Sequence, residues 1–150
     1  LGIKRAIERK QSIQIEPRSY SYGKAFEHLV LSEIFRLSHY FRKDWIFSYL
    51  RTKENVEIDL IIQLPNNKTI LIEIKSNENI QSEDIRSFIK ISKDFKDSKS
   101  FCFSKDRINK KIEHVECLNY SDGINYLFEL IKKVEWHLRR RRPVGAKRKR

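Results

Sequence analysis

Two runs of alternating apolar and polar residues, separated by a turn, dominate the chain: V-E-I-D-L-I-I-Q-L from Val56 to Leu64 and T-I-L-I-E-I-K from Thr69 to Lys75. Period-two alternation predicts strands, and Pro65-Asn66-Asn67 between them predicts a reversal, so the pair reads as a β-hairpin. One face would carry Val56, Ile58, Leu60, Ile62 and Leu64 with Ile70, Ile72 and Ile74. The other would carry Glu57, Asp59, Ile61 and Gln63 with Thr69, Leu71, Glu73 and Lys75.

The period changes on either side. From Ser21 to Ser38, Glu27, Val30, Leu31 and Ile34 recur at helical spacing, which predicts an amphipathic helix with a carboxylate on its apolar face. Asp44 to Leu50 is aromatic and β-branched, as a strand requires. A second helix is expected from an N-cap at Ser82, with Glu83 and Asp84 in its first turn and Ile85, Phe88, Ile89 and Phe95 inward. Lys99 to Ser104 reads as a strand, the segment through Lys111 as a charged loop, and Val115 to Asn119 as a last strand. Ser121 would cap a terminal helix burying Ile124, Leu127, Phe128, Ile131 and Val134. Residues 1–9 would form a short leading helix on Ile3, Ala6 and Ile7, and Gln11 to Tyr20 a connector through Pro17. Helices and strands are thus both expected, in an α/β chain.

Opposed residues of a hairpin share a face, so parity demands an odd loop or a bulge. With Pro65, Asn66 and Asn67 as the loop, Leu64 and Lys68 close it, Asp59 lies opposite Glu73, and Glu57 lies opposite Lys75. Opposed like charges on a sheet are destabilising unless something compensates them. A hard divalent cation such as Mg²⁺, which takes one or two carboxylates plus waters and a phosphate, is the simplest compensation.

Composition narrows the partners. The 150 residues carry a net charge of +12, but residues 139–150 hold eight basic and no acidic residues, which leaves the remainder at +4. That terminal run reads as a disordered basic tail, either an arm for nucleic acid or a solvated end. The domain proper is expected over residues 21–138, as one soluble, cytoplasmic unit with no apolar run near the roughly 20 residues that span a bilayer. Cys102 and Cys117 have no metal-ligand spacing, and His28, His39, His114 and His137 are scattered, so neither a disulfide framework nor a zinc site is expected. No P-loop surrounds Gly23-Lys24. The lack of methionine and the start at Leu1 fit a fragment of a longer protein.

Asp59, followed across the hairpin by Glu73-Ile74-Lys75, resembles the D…(D/E)-x-K signature of the PD-(D/E)XK nuclease superfamily. The wider set G-K-A-F-E-H-L-V, Y-L-R-T-K-E-N-V-E-I-D-L and I-L-I-E-I-K-S, with L-G-I-K-R-A-I at the amino end, resembles a C-terminal domain of unknown function. That domain follows the ATPase module in a group of prokaryotic AAA+ ATPases. The resemblance covers roughly residues 1–135. It implies a restriction-endonuclease-like α-β-β-β-α-β core with a mixed central sheet flanked by helices, and a Mg²⁺- or Mn²⁺-dependent nuclease, in the first instance an endonuclease, acting on DNA. Asp59 and Glu73 would ligate the metal, joined by the Ile74 carbonyl, with Glu27 reaching it directly or through water. Lys75 would orient the attacking water or stabilise charge on the phosphate. An ATPase module in the same parent chain is the implied partner. Cutting both strands of a duplex would call for a homodimer, for which the sequence offers no clear symmetric interface.

Two further features stay open at this level. Arg86, Lys90 and Lys93 form a basic row on the second helix that either meets a phosphate backbone or is simply solvated, with Asp94 and Asp97 nearby. Glu57 either positions Lys75 or forms a cross-strand ion pair with it. Glu-x-Lys is also common on solvated sheet faces, and a noncatalytic module that docks DNA or a protein partner is the competing function class.

Overall fold

The computed structural model describes residues 16, 19–53, 56–65 and 67–129. The leading helix and most of the connector expected over residues 1–20, the basic tail, and Ile131 and Val134 of the terminal helix lie outside the described residues.

Helix α1 (Tyr20–Tyr40) starts where the Ser19 hydroxyl accepts the Tyr22 N–H at 3.1 Å, an N-cap that satisfies one otherwise orphaned donor. Strands β1 (Ile46–Arg51), β2 (Glu57–Gln63) and β3 (Thr69–Lys75) form an antiparallel meander. A single 3-10 turn (Ser82–Ile85) runs into helix α2 (Arg86–Ser92), and the chain then returns as β4 (Ser98–Ser104), parallel to β3. Strand β5 (Lys110–Ile112), strand β6 (Val115–Asn119) and helix α3, described over residues 120–129, complete the order. The result is an α/β fold with a six-stranded mixed sheet in the order β1-β2-β3-β4-β6-β5. The expected α-β-β-β-α-β core is present.

Each face of the sheet carries its own core. On one, Val30 and Ile34 of α1 and Leu127 and Phe128 of α3 pack on Leu60, Ile62, Ile72 and Phe101. On the other, Ile85, Phe88 and Ile89 pack on Leu71, Cys102, Val115 and Cys117. Central strand β3 is therefore buried on both sides, from Ile70 to Ile74 without interruption, as expected where helices cover both faces. Each fully buried Val, Leu, Ile or Phe contributes about 1.5–3 kcal/mol of transfer free energy. Close approach is needed where α3 crosses β4: a Cβ at Gly123 would overlap the Phe103 ring.

Hairpin register follows the parity argument. Leu60, Ile61, Ile62 and Gln63 oppose Ile72, Leu71, Ile70 and Thr69, and the Leu64 N–H donates to the Lys68 carbonyl at 2.9 Å. One face assignment is corrected. Ser48 opposes Ile61 while Leu50 opposes Ile58, so β2 holds one residue more than β1 over this stretch. This β-bulge breaks the alternation. Ile58 consequently packs in the second core with Leu71 and Phe88, whereas Leu60 packs in the first.

Three local expectations also change. The turn before α2 is capped by Gln81, whose N–H donates to Asp84 Oδ2 at 2.8 Å, and Ser82 is its first residue. The Asn119 side chain, rather than Ser121, caps α3, accepting the Ser121 N–H at 3.1 Å. Part of the expected charged loop forms β5, paired with β6 through a turn in which Glu113 takes a φ of 52°.

Asp106, in the loop after β4, ties three segments together. Oδ2 accepts the Ile80 N–H at 2.9 Å and pairs with Lys110 Nζ at 2.8 Å, while Oδ1 accepts the Ile108 N–H at 2.9 Å. Lys110, then these N–H groups, hold its carboxyl down to about 2, against an ordinary 3.8. A folded-state value below the unfolded one means that this contribution to stability is present above about pH 3.8 and is lost as pH falls toward 2. Asp106→Asn should therefore cost about 1–3 kcal/mol at neutral pH and much less at pH 2, read by urea unfolding across that range.

Candidate functional site

Strand direction gathers the candidate residues at one end of the sheet. The C-terminal ends of β3 and β4 lie side by side because they are parallel, with Lys75 opposite Ser104. Antiparallel β2 brings its first residues, Glu57 to Asp59, to the same end, and β1 brings Leu50 and Arg51. The first turn of α1 completes this end, since a Cβ on Gly23 would lie 3.8 Å from the Ser76 hydroxyl.

Asp59 sits at the bulge, one step beyond the last paired rung of the β2–β3 hairpin. Its Oδ2 accepts the Ile74 N–H at 2.7 Å, so a side-chain oxygen takes the hydrogen bond of a strand residue where the ladder ends. Burial, only partly offset by that N–H, and then the charge of Glu27 push its carboxyl up to about 6. Glu73 follows on β3. It is 7% exposed, between Ile72 and Ile74, which are also buried. Burial first, and then the neighbouring Asp59 charge, pushes its carboxyl up to about 7. Glu73 Oε1 pairs with Lys75 Nζ at 2.8 Å, while Oε2 is buried with no hydrogen-bond partner. Lys75 stays cationic: burial lowers its pKa, but the Glu73 carboxylate more than reverses this and the net shift is upward.

Glu27 lies on the α1 side of this end, half-buried, with its Oε2 on Lys24 Nζ at 2.7 Å. That contact raises the Lys24 pKa. Asp59 therefore feels both other carboxylates, Glu27 across the cleft and Glu73 across the hairpin. Among the described residues, however, no group of three His, Cys, Asp or Glu side chains is gathered where it could enclose an ion. The structure thus brings together Asp59, Glu73, Ile74 and Lys75 tightly and Glu27 loosely. Two carboxylates and hard oxygen donors suit Mg²⁺ or Mn²⁺, and the partnerless, buried Glu73 Oε2 is the kind of atom a cation would satisfy.

Other sequence candidates fall elsewhere. Glu57 pairs with Arg51 of β1, at 3.1 Å, rather than with Lys75, because the bulge shifts its neighbours. The basic row of α2 lies over the second core: Lys93 pairs with Glu113 at 2.8 Å, and neither it nor Arg86 nor Lys90 lines the cleft beside Asp59. Ser92 and His114, 2.8 Å apart, could pass for a nucleophile and base. But Ser92 is 2% exposed and also bonds the Ile89 carbonyl at 3.2 Å, so the pair pins α2 to the β5–β6 turn and is closed to substrate. Lys105 was not singled out in the sequence. Its Nζ bonds Tyr22 at 2.9 Å and Glu78 at 2.8 Å, tying α1 to the loops that end β3 and β4. Nothing local in the sequence signals this contact, which joins residues far apart in the chain.

A carboxylic acid whose folded pKa exceeds its unfolded value binds its proton more tightly when folded, so stability falls as pH rises from about 4.5 to about 7 through Glu73. Glu73→Gln removes that loss. It should raise the free energy of unfolding by about 1–2 kcal/mol at pH 8, with the gain shrinking toward pH 5, as read by denaturant titration.

No curated protein and no solved structure matches the chain. A family model does match, over residues 22–122, and its description is Domain of unknown function (DUF4143). Those residues run from the first turn of α1 into α3 and make up more than half of the chain, which therefore belongs to the DUF4143 family.

Proposed function

We propose that this domain is a metal-dependent phosphodiester hydrolase of the PD-(D/E)XK type, a deoxyribonuclease carried in a larger protein that includes an ATPase module. The observation that carries the reading is the Glu73 carboxylate, buried beside Asp59 at the open end of the hairpin with one oxygen unpartnered. A sheet that served only as scaffold would gain stability by replacing that acid and its Lys75 partner with apolar side chains.

Asp59 and Glu73 would hold a Mg²⁺ or Mn²⁺ ion, with the Ile74 carbonyl as a further ligand. When bound, the ion supplies Lewis-acid polarisation of the scissile phosphate and a lowered pKa for an attacking water. The chain's own residues do the rest. Asp59 is oriented by the Ile74 N–H, which fixes one of its oxygens. Lys75 keeps its positive charge beside Glu73, and on exchange from Oε1 to a phosphate oxygen it would stabilise negative charge developing there. Glu27 would join only after parting from Lys24, which would free that ammonium for phosphate as well. The β3 backbone, fixed on both sides by β2 and β4, holds the stems of Glu73, Ile74 and Lys75 in place while these ion pairs exchange.

The two closed ion pairs, Lys24–Glu27 and Lys75–Glu73, favour a second reading, a noncatalytic module that binds DNA or a partner through the same end. Cleavage separates the readings, and unlike binding it cannot be mimicked by a basic terminal run. Plasmid and single-stranded DNA should be cut in Mg²⁺ or Mn²⁺ and not in EDTA, and Asp59→Asn or Lys75→Ala should each slow cutting by about a hundredfold or more. A folded protein that cuts neither substrate at any metal concentration would leave the binding module.

A further inference from the structure

The carboxylate end of the sheet opens into a cleft of about 420 Å³ between α1 and the β1–β2 edge. One stripe of α1 forms a wall: Lys24 and Glu27 near Asp59, then Leu31 and Phe35 one and two turns farther on. Phe47 and Tyr49 of β1 form the facing wall. The Phe35 and Phe47 rings meet with centroids 4.5 Å apart at 58°. Tyr49 is 76% exposed and Phe35 37% exposed, which leaves aromatic surface open to solvent beside a row of acids.

The lining also carries a charge pattern that narrows its ligand. Both cations there are matched to carboxylates, Lys24 to Glu27 and Arg51 to Glu57, and Asp59 adds a further negative charge. Without a metal ion, such a surface has little pull on phosphate. What it offers is apolar and aromatic area in a volume suited to one small ring system. In a duplex the faces of the bases are covered by their neighbours, whereas an unpaired nucleotide presents a free face for stacking on an aromatic side chain.

We infer that this cleft is the subsite for an unpaired nucleotide, whose base stacks against the Phe35, Phe47 and Tyr49 surface while its backbone runs toward Asp59. The substrate class is then single-stranded or locally unpaired nucleic acid. The assignment rests on the hydrolase reading above and narrows it. Because stacking rather than ion pairing supplies the affinity, this component of binding is nearly independent of salt, unlike attraction to a basic segment, which releases counterions and fades steeply as salt rises.

The test uses the full chain in EDTA, so that no turnover occurs, with fluorescence anisotropy of a labelled oligothymidylate and of a duplex of equal length. Both are titrated at about 0.05 and about 0.5 M salt. Tyr49→Ala, at an exposed position that leaves the cores intact, should weaken single-strand binding about tenfold at both salts and leave duplex binding unchanged. Tyr49→Phe should retain it. The inference is overturned by equal losses on both substrates, by no loss, or by single-strand binding that disappears at the higher salt. Failure of the hydrolase reading looks different: Tyr49-dependent binding would persist in a protein that never cuts. Conversely, metal-dependent cutting of both substrates that Tyr49→Ala leaves untouched would remove this inference alone.

Discussion

The buried carboxylate of Glu73 is the constraint on which the rest of this structure bears. It lies on the central strand, between apolar neighbours, with only one oxygen satisfied and a second acid, Asp59, across the hairpin. Placing ionisable groups there costs stability, because burial disfavours the charged form and each negative charge disfavours the other. The two apolar cores offset that cost. Val30, Ile34, Ile62 and Ile72 on one side and Leu71, Ile85 and Phe88 on the other are almost fully buried, and they hold β3 between two packed layers. A destabilising group held by an otherwise consistent fold is where function is expected.

The second acid depends on a departure from regular structure. An uninterrupted hairpin would leave Asp59 in a continuous ladder, with Ile58 on the same face as Leu60. The bulge in β2 instead turns Ile58 into the second core and leaves Asp59 at the fork, where its side chain takes the Ile74 N–H. Parallel pairing of β3 with β4 then aligns Lys75 with the loops fastened by Asp106 and Lys105. Sheet direction, bulge and loop anchors converge on one end of the molecule, and the cleft with its aromatic wall opens from that end.

Much of this was legible because period and parity are strong signals. Alternation located both hairpin arms, and the three-residue turn set their register, so that Leu64 and Lys68 close the loop as expected. Helical spacing located α1 and placed Glu27 beside Val30 and Ile34. What escaped the sequence was decided by longer-range geometry. Nothing in V-E-I-D-L announces a bulge, since the apolar residues alternate through it, and so the pairing of Glu57 with Arg51 and the second-core position of Ile58 were not foreseen. Strand β5, K-K-I, is short and charged and gains its structure from pairing with β6. The caps at Gln81 and Asn119 displaced the serines that propensity favours, because a neighbouring Asp84 and the end of a strand supply the same hydrogen bonds. Asp106 and Lys105 carry no motif at all; their roles exist only once loops distant in sequence meet.

The most direct test of the central idea, that Asp59 and Glu73 are a cation site, is calorimetric titration of the full chain with Mn²⁺ near pH 6.5 in two buffers of different ionisation enthalpy. With both carboxyls raised into this range, occupancy must expel protons, so one site per chain is expected, with a net proton release that differs from zero and with loss of both in Asp59→Asn. Binding of equal strength and proton count in the variant, or no binding to the folded protein, would contradict it.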